Sequence, residues 1–241
     1  LGKRKDYELI HLDDNYIVVN KSADLLAIPD RYMHDLKNLR SLLQKEYGEV
    51  FVVHRIDKGT SGIMVFGRNE DAHRHLSLQF ENRTVEKSYT AIVNGSFNQT
   101  SGSIDTLIAK DDSKKGRMKA VKVRGKSALS HYEVEEQFFN FAKVKVRIET
   151  GRTHQVRVHM AYIGHALVGD PLYGGQELLT IGDLKRRIAG TSERPLISRP
   201  ALHAASISFE GLDGKKMTFK CVAPKDIRAT LNQLRKWKRL R

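Results

Sequence analysis

The chain has 241 residues, 40% of them hydrophobic and 29% charged, the balance of a folded globular protein rather than a disordered one. Its 42 Lys and Arg against 28 Asp and Glu leave a formal net charge of +14, which directs attention to a polyanionic partner. No apolar run approaches the roughly 20 residues of a membrane helix, and the single cysteine, Cys221, excludes an internal disulfide.

This length allows one large domain or two small ones, and a single domain over residues 1–241 is expected. Membrane-surface binding competes for so basic a chain, but there is no long amphipathic basic helix and no acylation motif. The opening stretch, LGKRKDYELIHLDD, lacks the hydrophobic region of a signal peptide, so the expected compartment is the cytoplasm. The missing initial Met points to a trimmed or partial chain, with an N-terminal module beyond it an open expectation.

Residues 7–12 and 16–20 read as strands around the turn Asp13-Asp14-Asn15. The piece NKSADLLAIPD is extended and ends near Pro29. Leu36, Leu39, Leu42 and Leu43 then give helical spacing up to Gly48. Next comes VHRIDKGTSGIMVFGRN, residues 53–69, entered from an apolar strand at 51–53 and left through another at 63–66. Between them one carboxylate, Asp57, sits beside Arg55 and Lys58, with Gly59 and Gly62 to let the backbone turn. Two strands holding a charged loop present a reactive group on a rigid scaffold. Taken alone, an Asp in a basic loop is more often a surface ion pair.

Residues 70–80 read as a helix with Ala72, Leu76 and Phe80 on one face. In KSYTAIVNG, residues 87–95, Tyr89, Ala91 and Val93 alternate on one side of a strand, which by itself makes Tyr89 a packing residue. The run KDDSKKGRMKAVKVR, residues 110–124, is either solvated surface or a phosphate contact. Residues 128–136 and 143–149 read as an antiparallel pair joined through 137–142. Val156, Met160 and Ile163 mark a helix that stops at Gly164, with Arg152, His154, Arg157 and His159 around its first turns, where a helix N-terminus favours anions. His154 and His159 are five apart, not four, and no Cys or carboxylate completes a set, so no metal is expected.

Residues 176–199 read as a loop insertion with one short helix over 181–187. PALHA opens a strand to Phe209, with Ala205, Ile207 and Phe209 inward, and Leu202 by itself reads as core. Residues 217–222 form a last strand, with Cys221 expected in the core, and a basic helix over 226–241 follows.

Five of these stretches together resemble the RluA family of pseudouridine synthases. Residues 53–69 resemble its HRLD-x-x-TSG motif, and GRTHQVRVH…GHALVGDPLYG resembles its GRTHQIRVH…GHPLVGDPLYG block. KSYTAIVNG is similar to K-x-Y-x-A-x-V-x-G, and ALHA to a similar A-L-H-A piece of the family. NKSADLLAIP resembles NKPAGLLVHP, with Ser22 and Asp24 where Pro and Gly are usual, a change in backbone stiffness rather than chemistry. The resemblance implies an α+β fold, a mixed and mainly antiparallel β-sheet flanked by helices, with a central active-site cleft. It makes Asp57 catalytic, puts Tyr89 against the target base as the proton-handling candidate, and pairs Arg157 with the catalytic carboxylate. It seats Leu202 beneath the uracil ring. Arg55 or His54 would sit beside the place a flipped uridine vacates, and Arg152 and His154, at the anion-favouring start of their helix, join them as RNA-binding candidates.

The implied reaction breaks the C1′–N1 bond of a uridine in RNA, turns the uracil and rejoins it through C5. Nothing is oxidised and no group is transferred to another molecule, so no cofactor is expected. An ionised carboxylate suits positive character at C1′, and an Arg beside it favours that charged state. Attack on the sugar, attack on the ring and elimination all stay open to Asp57 on these grounds. A paired base is out of reach, so the uridine must be flipped or already unpaired. The expected partner is RNA, large-subunit ribosomal RNA first and transfer RNA second, acted on by a monomer. One rival is a non-catalytic RNA-binding domain of the same fold, which loss of Asp57, Tyr89 or Arg157 would have favoured; all three are present. The other, a DNA-binding protein or glycosylase, has no helix-turn-helix signature or zinc-finger spacing behind it.

Overall fold

The computed structural model describes residues 5–30, 32–33, 35–185 and 195–240. In chain order they form β1 (Tyr7–Leu12), β2 (Tyr16–Lys21), α1 (Leu39–Tyr47), β3 (Phe51–Val52), β4 (Ser61–Gly67), α2 (Glu70–Glu81) and β5 (Glu86–Asn94). Then come β6 (Ser101–Lys110), β7 (Met118–Val121), β8 (Lys126–Phe138), β9 (Phe141–Ile148), α3 (Gln155–Tyr162) and a 3-10 turn at Pro171–Tyr173. Last are α4 (Ile181–Lys185), β10 (Leu202–Glu210), β11 (Lys216–Lys220) and α5 (Lys225–Trp237). Contacts group the chain into two units, Leu1–Ser88 with His203–Val222, and Tyr89–Leu202 with Ala223–Arg241.

In the first unit the expected β1–β2 hairpin forms, and its turn is closed by Asp13, whose Oδ1 accepts the N–H groups of Asn15 and Tyr16. Asn38 caps α1, its Oδ1 accepting the Ser41 N–H at 2.9 Å. The helix therefore starts after Leu36, which lies outside it and is exposed, contrary to the leucine spacing. Asn69 caps α2 in the same way, and Glu70 and Asp71 in its first turn suit the positive end of the helix dipole. Every residue of β4 is buried. It runs antiparallel to β2 and β3 and parallel to β10, which pairs antiparallel with β11. Ile63 and Val65 of β4 join Val18, Ala72, Leu76, Ile207 and Phe209 in one core, as the alternation of the sequence implies. Cys221 follows β11 rather than lying in it and is half-buried; burial pushes its thiol up to about 12.

In the second unit β6–β7, β6–β8 and β8–β9 are antiparallel, and β5 lies beside β9. The β8–β9 pair is the expected one, but both strands are longer and the turn shrinks to Phe139-Asn140, with Asn140 at φ +62°. Ala91 and Val93 enter a core with Ile104, Val144, Val146, Val156, Met160 and Leu167, against which Tyr89 and Ile163 pack. The helix expected over 181–187 is seen as Ile181–Lys185; its last two positions lie outside the described residues. Strand count and pairing give the α+β class expected, with a mixed, mainly antiparallel sheet.

Candidate active site

In the first unit the turn that carries Asp57 is fixed by backbone groups. The Thr60 N–H donates to the Asp57 carbonyl at 3.0 Å, and the Asp24 N–H donates to the Lys58 carbonyl at 2.8 Å. Lys21, with no exposed surface, donates from Nζ to the carbonyls of Ser22 and Leu25 at 2.8 Å and of Lys58 at 3.3 Å. A lysine is seldom so buried without such a set of oxygens. Asp24 adopts φ +69°, the left-handed region in which glycine is at ease and aspartate is tolerated. After the turn, Gly62 has φ +122° and a Cβ on it would stand 2.2 Å from the Ala204 carbonyl oxygen. Only glycine lets β4 approach β10 at that register, Gly62 opposite Ala204. Ser61 Oγ and His203 Nδ1 meet at 3.0 Å beside it.

Arg55 is exposed and Asp57 half-buried. His54 is engaged by the protein itself: its Nε2 accepts the Val65 N–H at 3.1 Å and its ring stacks on Phe80 at 4.8 Å. Burial, with the Lys87 charge adding to it, pulls His54 down to about 3, so the ring is neutral. Burial also lowers Lys87, to about 8, and its Nζ lies 5.4 Å from the centre of the Phe80 ring.

In the second unit, α3 carries Arg157, 8% exposed. Its Nε and Nη2 donate to the two oxygens of Asp170, at 2.7 and 2.8 Å, a bidentate pair with a carboxylate that has no exposed surface. Asp170 is a partner of Arg157 that the sequence does not announce, since nothing in its spacing ties position 170 to 157. Two glycines force the bend that delivers it. A Cβ on Gly169 would stand 2.1 Å from the Arg199 carbonyl oxygen, and one on Gly175 would stand 2.0 Å from that of Leu167. Three residues after Asp170, Tyr173 is buried with its ring 4.9 Å from the Arg157 guanidinium carbon.

His154 stands just before α3 at φ +58°, and its Nδ1 meets the Tyr173 hydroxyl at 2.8 Å. Arg152 donates from Nε to the Ser127 carbonyl at 2.9 Å. His159 is a neutral core histidine hydrogen-bonded at both nitrogens, to Thr106 at 3.1 Å and Ser130 at 2.9 Å, and burial lowers it to about 4. Leu202 is buried in the same core cluster that Tyr89 packs against. So the structure keeps Tyr89 and Leu202 on one cluster, and Arg152, His154 and Arg157 around one helix.

The basic run at 110–124 forms a hairpin, with β7 hidden in its charges. Lys114 and Lys115 are exposed at its tip, and Arg117 lies 3.6 Å from Asp111. With Lys126 and Arg152 it borders a cavity of about 980 Å³, lined also by Lys110, Lys115, Arg117 and Arg124.

A family profile described as RNA pseudouridylate synthase matches residues 15–162. Over 212 residues the chain is 37% identical to a protein of Haemophilus ducreyi named ribosomal large subunit pseudouridine synthase D, covering 84% of this chain and 62% of that one. A protein of the same name from Pseudomonas aeruginosa is 35% identical over 241 residues, covering 98% of this chain and 74% of its own. An uncharacterized RNA pseudouridine synthase of Bacillus subtilis is 33% identical, with 98% and 75% covered. In fold, the chain superposes on human RNA pseudouridylate synthase domain containing 4 with a TM-score of 0.74 at 24% identity, over 94% of this chain and 92% of that one. By the profile match and these identities, the chain belongs to the RNA pseudouridylate synthase family, of the RluA type its motifs resemble.

Proposed function

We propose that the chain isomerises specific uridines to pseudouridine in large-subunit ribosomal RNA. The observation that carries this is the Asp57 turn, within the region matched to the family, in a chain over a third identical to two bacterial enzymes of that name. Asp57 is the carboxylate that acts on C1′ or the ring, Tyr89 handles the proton that leaves C5, and Arg157 is the third catalytic residue. Leu202 supports the uracil, while Arg55, Arg152, His154 and His54 serve the RNA. The bond from C1′ to N1 breaks, one from C1′ to C5 forms, N1 gains a proton and C5 loses one. The enzyme acts as a cytoplasmic monomer in this reading, and among the described residues no helix is long and apolar enough to cross a membrane. The deciding experiment maps ribosomal and transfer RNA with a pseudouridine-specific label in cells with and without the gene. A site lost only from transfer RNA, or no lost site at all, would defeat the ribosomal assignment.

Two results are expected from the purified protein. RNA binding weakens with salt, each phosphate contact to a single strand contributing about −0.7 to the log–log slope. Neutralising Lys114, Lys115 and Arg117 therefore flattens that slope by about 2, as read by filter binding across a salt series. An unchanged slope makes the hairpin solvated surface. Tyr89→Phe keeps the ring packed on its cluster, so RNA affinity holds, while loss of the hydroxyl slows turnover on the order of 10²–10⁴-fold. Wild-type turnover in that variant reduces Tyr89 to packing.

A further inference from the structure

The basic hairpin and the arginine of α3 meet on one side chain. The Tyr173 hydroxyl accepts the Met118 N–H at 2.9 Å, at the first residue of β7, and meets His154 Nδ1 at 2.8 Å. The Tyr173 ring lies 4.9 Å from the guanidinium carbon of Arg157 and 5.8 Å from that of Arg117. Its body packs with Ile108, Ala128 and Val158, and with Met118 and Ala120 of β7. Its backbone N–H donates to the Asp170 carbonyl at 3.2 Å, so the residue that holds Arg157 by its edge also seats the ring beside that arginine. The left-handed conformation of His154 turns a strained residue toward the same hydroxyl.

We infer that Tyr173 is a positioning residue that couples the hairpin at 110–124 to Arg157, its hydroxyl fixing the hairpin at Met118, in the strand pair next to its turn, and its ring fixing the guanidinium. The inference rests on the RNA-modifying reading above and deepens it. The two halves of the side chain then have separable duties. The hydroxyl governs how well the hairpin meets phosphate, and the ring governs how well the arginine is set for the reaction.

Two variants separate them, assayed on an in vitro transcript of large-subunit ribosomal RNA carrying tritium at uridine C5. Filter binding gives affinity, and tritium release under saturating single-turnover conditions gives the rate. Tyr173→Phe loses two hydrogen bonds and keeps the ring, so affinity should fall about three- to tenfold while the saturating rate stays within about twofold of wild type. Tyr173→Leu also loses the contact with the guanidinium, and its saturating rate should fall about tenfold or more. Thermal melts show how much of each variant is folded, and rates are taken per folded molecule.

The inference is overturned if Tyr173→Phe binds RNA like wild type, or if Tyr173→Leu is no slower than Tyr173→Phe. It is also overturned if both lose affinity and rate in proportion to stability, since packing alone would do that. Lys114→Gln with Lys115→Gln is the control for the reading beneath it. Wild-type affinity there, or a wild type inactive on every RNA offered, removes the hairpin or the reaction and this inference with it. An active, RNA-binding wild type with unaltered Tyr173 variants sinks the coupling alone.

Discussion

Asp57→Asn is expected to lower pseudouridine formation below detection while leaving folding and RNA binding in place. The turn is held by the Asp57 and Lys58 carbonyls, the Asp24 and Thr60 N–H groups and the buried Lys21 ammonium. Each of these bonds uses backbone atoms of the turn, so an amide of the same shape leaves them intact. What is lost is the negative charge, and a neutral amide neither attacks well nor steadies a cationic C1′. RNA affinity should hold or rise slightly, because one negative charge near phosphate is gone. Tritium release, filter binding and circular dichroism on one preparation check all three. A variant that converts uridine at the wild-type rate takes Asp57 out of the catalytic role.

Asp170→Ala is expected to show the largest loss of stability. It strips a carboxylate with no exposed surface from a guanidinium that is itself 8% exposed. Breaking a buried pair by removing one partner costs about 3–5 kcal/mol, equivalent to a melting-temperature drop of about 6–20 °C in a chain of this size. Asp170→Asn should fall between, since one oxygen still accepts from the guanidinium while an amide N–H₂ now faces an N–H donor. The saturating rate should fall in both, because the arginine's edge is no longer fixed. Calorimetry and single-turnover assays give the two readouts. A melting temperature within about 2 °C of wild type in the Ala variant would show that the pair contributes little.

Where the core imposes a period, the fold is legible in the sequence. The alternation at Tyr89, Ala91 and Val93 and the spacing of Val156, Met160 and Ile163 both lead into one apolar cluster. β6 is not legible, because Ser101, Ser103, Asp105 and Thr106 break its apolar pattern and its partners β7 and β8 lie further along the chain. β7 is masked by the charges around it. Leu36 misleads because leucines keep helical spacing across a cap, although Asn38 carried the signal that the helix begins later. The Asp57 turn is legible as a charged turn between two strands. Its support by Lys21, and the meeting of Asp170 and Tyr173 with Arg157, are tertiary facts with no local periodicity to reveal them. That the Nε2 of His54 accepts the Val65 N–H is likewise a tertiary fact that no spacing reveals.

Gly62 has a consequence for any attempt to find this protein's chemistry by variation alone. Its side of β4 leaves 2.2 Å to a neighbouring carbonyl oxygen, so each of the other nineteen residues must force two strands apart. Selection for a working protein will therefore hold that position as tightly as it holds Asp57, five residues earlier. Yet Gly62 has no side chain with which to touch a substrate, bind a proton or carry charge. A survey of tolerated substitutions will return the two positions as equals. Telling them apart requires the amount of folded protein beside the activity, because Gly62 variants fail through geometry and Asp57 variants, under the proposed function, through chemistry.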